Sequence, residues 1–150
     1  MMAGEGWTSR LLTGWAEDMQ AAGIGVWRPD GGVYQAHETG IVIRAVPDRP
    51  DRLITLAAYP LGTALAGLAD HQLAVQIRVR AGQDPRDCDD LADAVHDRYD
   101  GAAGVTWGGI AVVQVWRQSY TSLGDDTNGR WSRSENYYLD TMRPTARNSD

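Results

Sequence analysis

The chain of 150 residues contains no lysine and no phenylalanine: all 14 basic residues are arginine, and the large aromatics are 6 tryptophans and 6 tyrosines. Without lysine there is no phosphate-gripping P-loop lysine, no Schiff base and no lysine general base. Without phenylalanine, every large aromatic in the core or at an interface carries a polar group, which suits boundaries between apolar and wet surroundings. Cysteine is almost absent as well. Cys88 stands alone, so no disulfide can close within the chain, and its place on a predicted helix reads as a buried structural thiol in a protein made in a reducing compartment. No apolar run approaches the roughly 20 residues that span a bilayer, and no basic region followed by an apolar stretch opens the chain. The expectation is a protein made soluble, with no membrane partner and no export signal. Positive charge is also in deficit: a net charge of -6 and a pI near 4.9 argue against wrapping nucleic acid, which needs a net basic footprint.

What is present reads as one domain over residues 1–150, with ends expected to fray at about 1–6 and 145–150. Leu11, Leu12, Trp15, Met19 and Ala22 recur at helical steps between Trp7 and Ala22, with Thr8 or Ser9 as candidate caps and Gly23 as the stop. Ile24–Trp27 reads as a short strand and Gly40–Arg44 as another. The run Val46-Pro47-Asp48-Arg49-Pro50-Asp51 cannot continue a strand, because two prolines remove ladder donors, and it reads as a mobile surface loop open to contact. Leu53–Tyr59 is a strand, and Leu61–Leu68 a loose connector. Strict alternation makes Gln72–Arg80 the cleanest strand, with Leu73, Val75, Ile77 and Val79 on one face and Ala74, Gln76, Arg78 and Arg80 on a wet or partner-facing side. Asp84-Pro85 opens a second helix whose buried stripe is Cys88, Leu91, Ala92, Val95 and Tyr99. Ile110–Arg117 and Trp131–Met142 form a terminal antiparallel pair joined by the polar run Ser119–Arg130. The fold class is α+β: a mixed or antiparallel sheet of about four to five strands backed by two helices.

No catalytic constellation accompanies this pattern. Asp126, Asn128, Gly129 and Glu135 fall at calcium-loop positions counted from Gly124, but Gly124 offers no carboxylate and the flanks alternate like strands, so an ordinary hairpin loop is expected. Asp89, Asp93 and Asp97 line one helix face, read as solvated, as a surface seeking arginines in assembly, or as a metal site. The three histidines are scattered, and no serine sits in a nucleophile elbow. Neither cofactor nor metal is expected. Candidate interface residues are Arg78 and Arg80, two guanidinium groups on one strand face suited to gripping carboxylates, together with Asp89, Asp93, Asp97, Trp116 and Trp131.

Taken in order, Leu53–Tyr59 after a Pro-Asp-Arg loop, Leu73–Arg80 before an Asp-Pro helix, and Arg133–Asp140 near the end give a chain that resembles the tail-terminator and minor capsid proteins of long-tailed bacteriophages. The resemblance covers about Leu11 to Arg143. It implies a virion protein of the tail or neck, synthesised in the host bacterial cytoplasm, whose copies form a ring, commonly a hexamer, at the head-proximal end of the tail tube. There the ring stops tube polymerisation and provides the surface for head docking. Its implied partners are its own copies, the tail tube protein and a neck or head-completion protein, with DNA only as cargo through the lumen; no cofactor and no catalysis are implied. Two other readings stay open: a head-completion or connector adaptor of the neck, and a small ligand-binding or enzymatic α+β domain.

Overall fold

Apolar residues at three- and four-residue steps fold Trp7–Ala21 into helix α1, which buries Leu11, Leu12, Trp15 and Met19. Its start uses neither Thr8 nor Ser9. Gly6 occupies the cap without a side-chain bond, and the indole N–H of Trp7 instead donates to the Met142 carbonyl at 3.2 Å. Gly23, at φ 77°, ends the helix, with Gly23 N–H bonding to Gln20 O and Ile24 N–H to Met19 O, as in a Schellman motif.

The computed structural model describes residues 3–62 and 67–149. After α1 come β1 (Val26–Trp27), β2 (Gly40–Ile43), β3 (Leu53–Pro60), β4 (Asp70–Arg80), α2 (Pro85–Tyr99), β5 (Ala103–Trp107), β6 (Ile110–Asp125) and β7 (Trp131–Met142). Of the expected connector Leu61–Leu68, residues 63–66 lie outside the described residues. The strands form one mixed sheet in the order β1-β2-β3-β4-β7-β6-β5, parallel from β1 to β3 and antiparallel elsewhere.

Seven strands exceed the four to five expected from the sequence. Part of the difference is β5, whose residues Ala103-Gly104-Val105-Thr106-Trp107 bury only Trp107 and are held as a strand by pairing with β6. A second correction concerns the terminal hairpin. The polar run after Arg117 is not a loop: β6 continues through it to Asp125, paired to β7 with bulges at three places, and the connection shrinks to residues 126–130.

Both helices cover one face of the sheet. Ile54 and Leu56 of β3, Val75, Ile77 and Val79 of β4, and Tyr137 and Leu139 of β7 meet the α1 residues and the predicted stripe of α2. Asp84 caps α2 by accepting from Arg86 N at 3.0 Å, with Pro85 in the first turn. Aromatics fill the space between the helices: Trp15 stacks on Trp107 at 4.7 Å and meets Tyr99 and Tyr137 edge-on at 5.3 and 5.9 Å. Trp107 can reach Trp15 because the β5–β6 turn presses glycine against glycine. A Cβ on Gly14 would lie 2.2 Å from Gly108 N, and one on Gly108 would lie 2.0 Å from Arg10 O. Past Pro144, Asn148 meets Gly67 through a 2.8 Å bond from Gly67 N–H to its side chain.

Candidate assembly surface

The sheet face away from the helices is where sequence alternation put Arg78 and Arg80, and the two have different fates. Arg78 is exposed and makes no side-chain hydrogen bond or ion pair among the described residues. Arg80 is 6% exposed and lies beneath the proline-bearing loop between β2 and β3. Its guanidinium donates to the carbonyls of Asp51 at 3.0 Å, Pro47 at 2.9 Å, Asp48 at 3.2 Å and Pro50 at 2.7 Å. A loop with two prolines has surplus acceptors and few donors, and Arg80 supplies the donors. Arg80 therefore braces its own chain and has no free guanidinium to offer a partner. Burial first, then the neighbouring charge of Arg130, pulls its pKa below the ordinary arginine value, against the opposing pull of Asp126, Asp48 and Asp51.

Arg130, unremarked in the sequence, is the second brace. It sits at the end of the β6–β7 turn, reaches Asp126 at 2.8 Å, the Asp48 carboxylate at 3.1 Å and Asp51 at 3.4 Å, and also donates to the Asp48 carbonyl. The turn carboxylate of Asp126 accepts from Asn128 N and Arg130 N, both at 2.9 Å. Those bonds use the oxygens that a calcium loop would aim at an ion. The loop expected to be mobile is thus held by two arginines, while Arg49 and Val46 project from it at 75% side-chain and 48% residue exposure. At its entry Arg44 adopts φ 62°, a left-handed conformation unusual for a side-chain-bearing residue.

The acidic residues of α2 also divide. Asp89 pairs with Arg133 at 3.1 Å, and Arg133 turns back to Glu135 at 3.2 Å. Glu135 is fully buried and also receives Arg117 at 3.2 Å. Both guanidinium groups lie over the Tyr120 ring, 4.7 Å for Arg117 and 4.5 Å for Arg133. Asp97 lies 3.3 Å from His96, and Asp93 is exposed with no ion pair among the described residues. Asp89, Asp93 and Asp97 therefore form a ridge on the outside of α2, on the opposite side of the sheet from Arg78. No group of three or more His, Cys, Asp or Glu side chains is gathered for a metal among the described residues.

The two candidate tryptophans differ in the same way. Trp116 is half-buried on the β6 ladder, edge-on to its cross-strand neighbour Tyr138 at 6.0 Å, on the face that carries Arg78. Trp131 packs against the main core, and its backbone bonds to Ala81 and Gly82 at the exit of β4. Arg117, Arg130 and Arg133 were missed, and Glu135 was weighed only as a calcium-loop position, because the decisive partners are distant in sequence: Glu135 across the β6–β7 ladder from Arg117, Asp48 and Asp51 in the β2–β3 loop for Arg130, and Asp89 on α2 for Arg133. Burial pushes the Cys88 thiol up to about 11, and the thiol is enclosed between α2 and β4.

These features describe an α+β scaffold that spends its charged side chains on bracing loops and strand ends. Residues 19–142 match the bacteriophage tail terminator protein family, and the chain belongs to that family, whose members are structural proteins of the phage particle. Among solved structures, a chain from the virion of a native gene transfer agent particle is similar at TM-score 0.50 and 16% identity, over 67% of this chain and 78% of that one. A second solved structure aligns over 70% of this chain and 80% of its own at 13% identity, with TM-score 0.49. At 16% identity the likeness to the gene transfer agent chain speaks for the fold alone. No curated protein matches the chain.

Proposed function

We propose that this protein forms a ring, hexameric in its working state, at the head-proximal end of a phage tail tube. There it stops tube polymerisation and presents the surface on which a neck or head-completion protein docks, with DNA passing through the lumen as cargo. The observation that carries this reading is the family match across residues 19–142. Physical support comes from the braced loop and the open sheet face. A terminator must meet the last tube subunits with a preorganised surface, because ordering a loosely held loop on contact costs about 0.5–1.5 kcal/mol per immobilised side chain.

Within that reading Arg78 and Trp116 form the tube-facing contact, and Asp93 and Asp97 lie on the opposite, neck-facing side. Arg80 acts indirectly by holding the loop, Trp131 by closing the core edge, and Asp89 by fixing Arg133. The test is to mix purified protein with purified tail tubes and image them by negative stain. Density confined to one tube end, with elongation halted, is the expected result. Tubes that keep growing and bare ends at saturating protein refute the proposal. Arg78→Glu should weaken end binding while leaving the fold intact.

A further inference from the structure

On the sheet face away from the helices, the strand registers set the side chains in rows. Tyr59, Ala74, Tyr138 and Trp116 lie side by side across β3, β4, β7 and β6. The next row along the strands holds Gln76 beside Asn136, and the one after it holds Arg78 between Thr55 and Ser134. Arg78 and Gln76 are exposed, as is Tyr59. Four residues of strand separate the arginine row from the aromatic row, a distance of about 14 Å. The braced loop borders the arginine end, where the Thr55 hydroxyl donates to the Ala45 carbonyl at 3.4 Å.

One cation is left over on this face. Of the 14 arginines, Arg78 and Arg147 alone make no side-chain hydrogen bond, ion pair or ring contact among the described residues, and Arg147 lies past Pro144. The carboxylates that border the face are engaged elsewhere. Asp140 is opposite Gln72 and accepts from Gln114 at 2.6 Å; by strand rise it is about 20 Å from Arg78. Asp48 and Asp51 are held by Arg130 at 3.1 and 3.4 Å. Thr55 and Ser134, the cross-strand neighbours of Arg78, carry no charge to balance it. A free guanidinium among hydroxyls and amides is shaped for a carboxylate, which it grips through two parallel N–H bonds. One free cation does not suit a nucleic-acid backbone, whose affinity comes from neutralising many phosphates at once.

We propose that this face receives a segment of the tail tube protein that carries an aspartate or glutamate. The carboxylate pairs with Arg78, Gln76 bonds the backbone of the segment, and an apolar side chain of the same segment rests on the row of Tyr59, Tyr138 and Trp116. An extended segment covers the required 14 Å or so in about four residues. The aromatic row supplies contact area, while the single charge selects the partner and fixes its position along the strands. This inference rests on the terminator reading and specifies the chemistry by which the tube end is recognised.

The absence of lysine makes the contact testable at one atom, because Arg78→Lys keeps the charge and introduces the lone side-chain amine of the chain. Purified Arg78→Lys protein on purified tail tubes is treated with a carbodiimide, which joins an amine to a carboxylate in direct contact with it, and the products are mapped by mass spectrometry with wild type as control. The expected product joins the introduced amine to an aspartate or glutamate of the tube protein and is absent without tubes. Arg78→Gln should weaken end binding by at least about tenfold, and Tyr59→Ala, at the exposed end of the aromatic row, should weaken it as well. A product joining the introduced amine to another copy of this chain would mean that a second copy occupies the face, and would overturn the proposal. Tubes capped as tightly by Arg78→Gln as by wild type would overturn this contact and leave the terminator reading standing. Wild-type protein that leaves tube ends bare would overturn that reading and this contact with it.

Discussion

Replacing Arg80 by methionine keeps the apolar stem and removes the guanidinium, so it isolates the brace beneath the β2–β3 loop. Hydrogen bonds from a charged donor contribute about 1.5–3 kcal/mol each. Four such bonds do not add, because three of the carbonyls share one nitrogen and the released loop regains water. Removing a buried charge also relieves its desolvation penalty. Two independent bonds less that relief leave a loss of about 2–4 kcal/mol, a large fraction of the roughly 5–15 kcal/mol total of a domain. Arg78→Met, two residues away on the same face, should stay within about 0.5 kcal/mol of wild type. Urea denaturation followed by tryptophan fluorescence measures both, and amide exchange at residues 45–52 should accelerate in Arg80→Met only. Equal effects at the two arginines, or a larger one at Arg78, would refute the assignment of Arg80 as a brace.

Tyr137→Phe should be neutral or stabilising by up to about 1 kcal/mol, since the hydroxyl is buried with no hydrogen-bond partner among the described residues and its loss relieves a desolvation cost; thermal melting checks it, and a drop of several degrees would point to an unseen partner. The Cys88 thiol should resist a thiol reagent at pH 8 in the native protein and react promptly in urea, because enclosure and a pKa near 11 both protect it. For Asp18, burial is the largest single influence and opposes ionisation, but the hydrogen bonds from Arg98 and Tyr99 and the Arg98 charge together hold its carboxyl below the ordinary range. A depressed folded pKa means that its stabilisation is present above the unfolded value of about 3.9 and is lost as pH falls through the folded value. Asp18→Asn should therefore be less stable than wild type at pH 7, and the gap should narrow as pH falls through the depressed folded value, as read by denaturant melts across pH.

The sequence announced an element wherever one face is buried and the other is wet. The odd-numbered residues of β4 from Leu73 to Val79 and the α2 stripe from Cys88 to Tyr99 obey that rule, and Asp84-Pro85 marks the helix start by local chemistry. Elements held by pairing alone were hidden. Ser119–Gly124 is polar and mostly exposed, so its strand character comes from the β7 ladder and leaves no periodic trace. β5 is hidden for the same reason. Arg80 illustrates a different failure: period two correctly gave its face, but a loop folded from thirty residues upstream covers that end of it. A signal was present, because Pro47 and Pro50 leave a short segment rich in acceptors and poor in donors, and such a segment needs donors from elsewhere.

The absence of lysine acquires a structural meaning from these positions. Arg80 serves four carbonyls at once, Arg130 joins its own turn to a loop about eighty residues away, and Arg117 and Arg133 enclose both Glu135 and the Tyr120 ring. Each task needs several donors in a fixed plane or a flat cation to stack on an aromatic, and a single ammonium provides neither. Codon bias can fill a genome with arginine, but it does not place arginine where only a planar guanidinium fits. A lysine scan makes the distinction measurable. Arg80→Lys, Arg130→Lys and Arg133→Lys should each lose stability by about 1–3 kcal/mol despite the retained charge. Arg78→Lys should lose none, and if all four substitutions were silent, charge alone would explain the braces and the geometric account would fail.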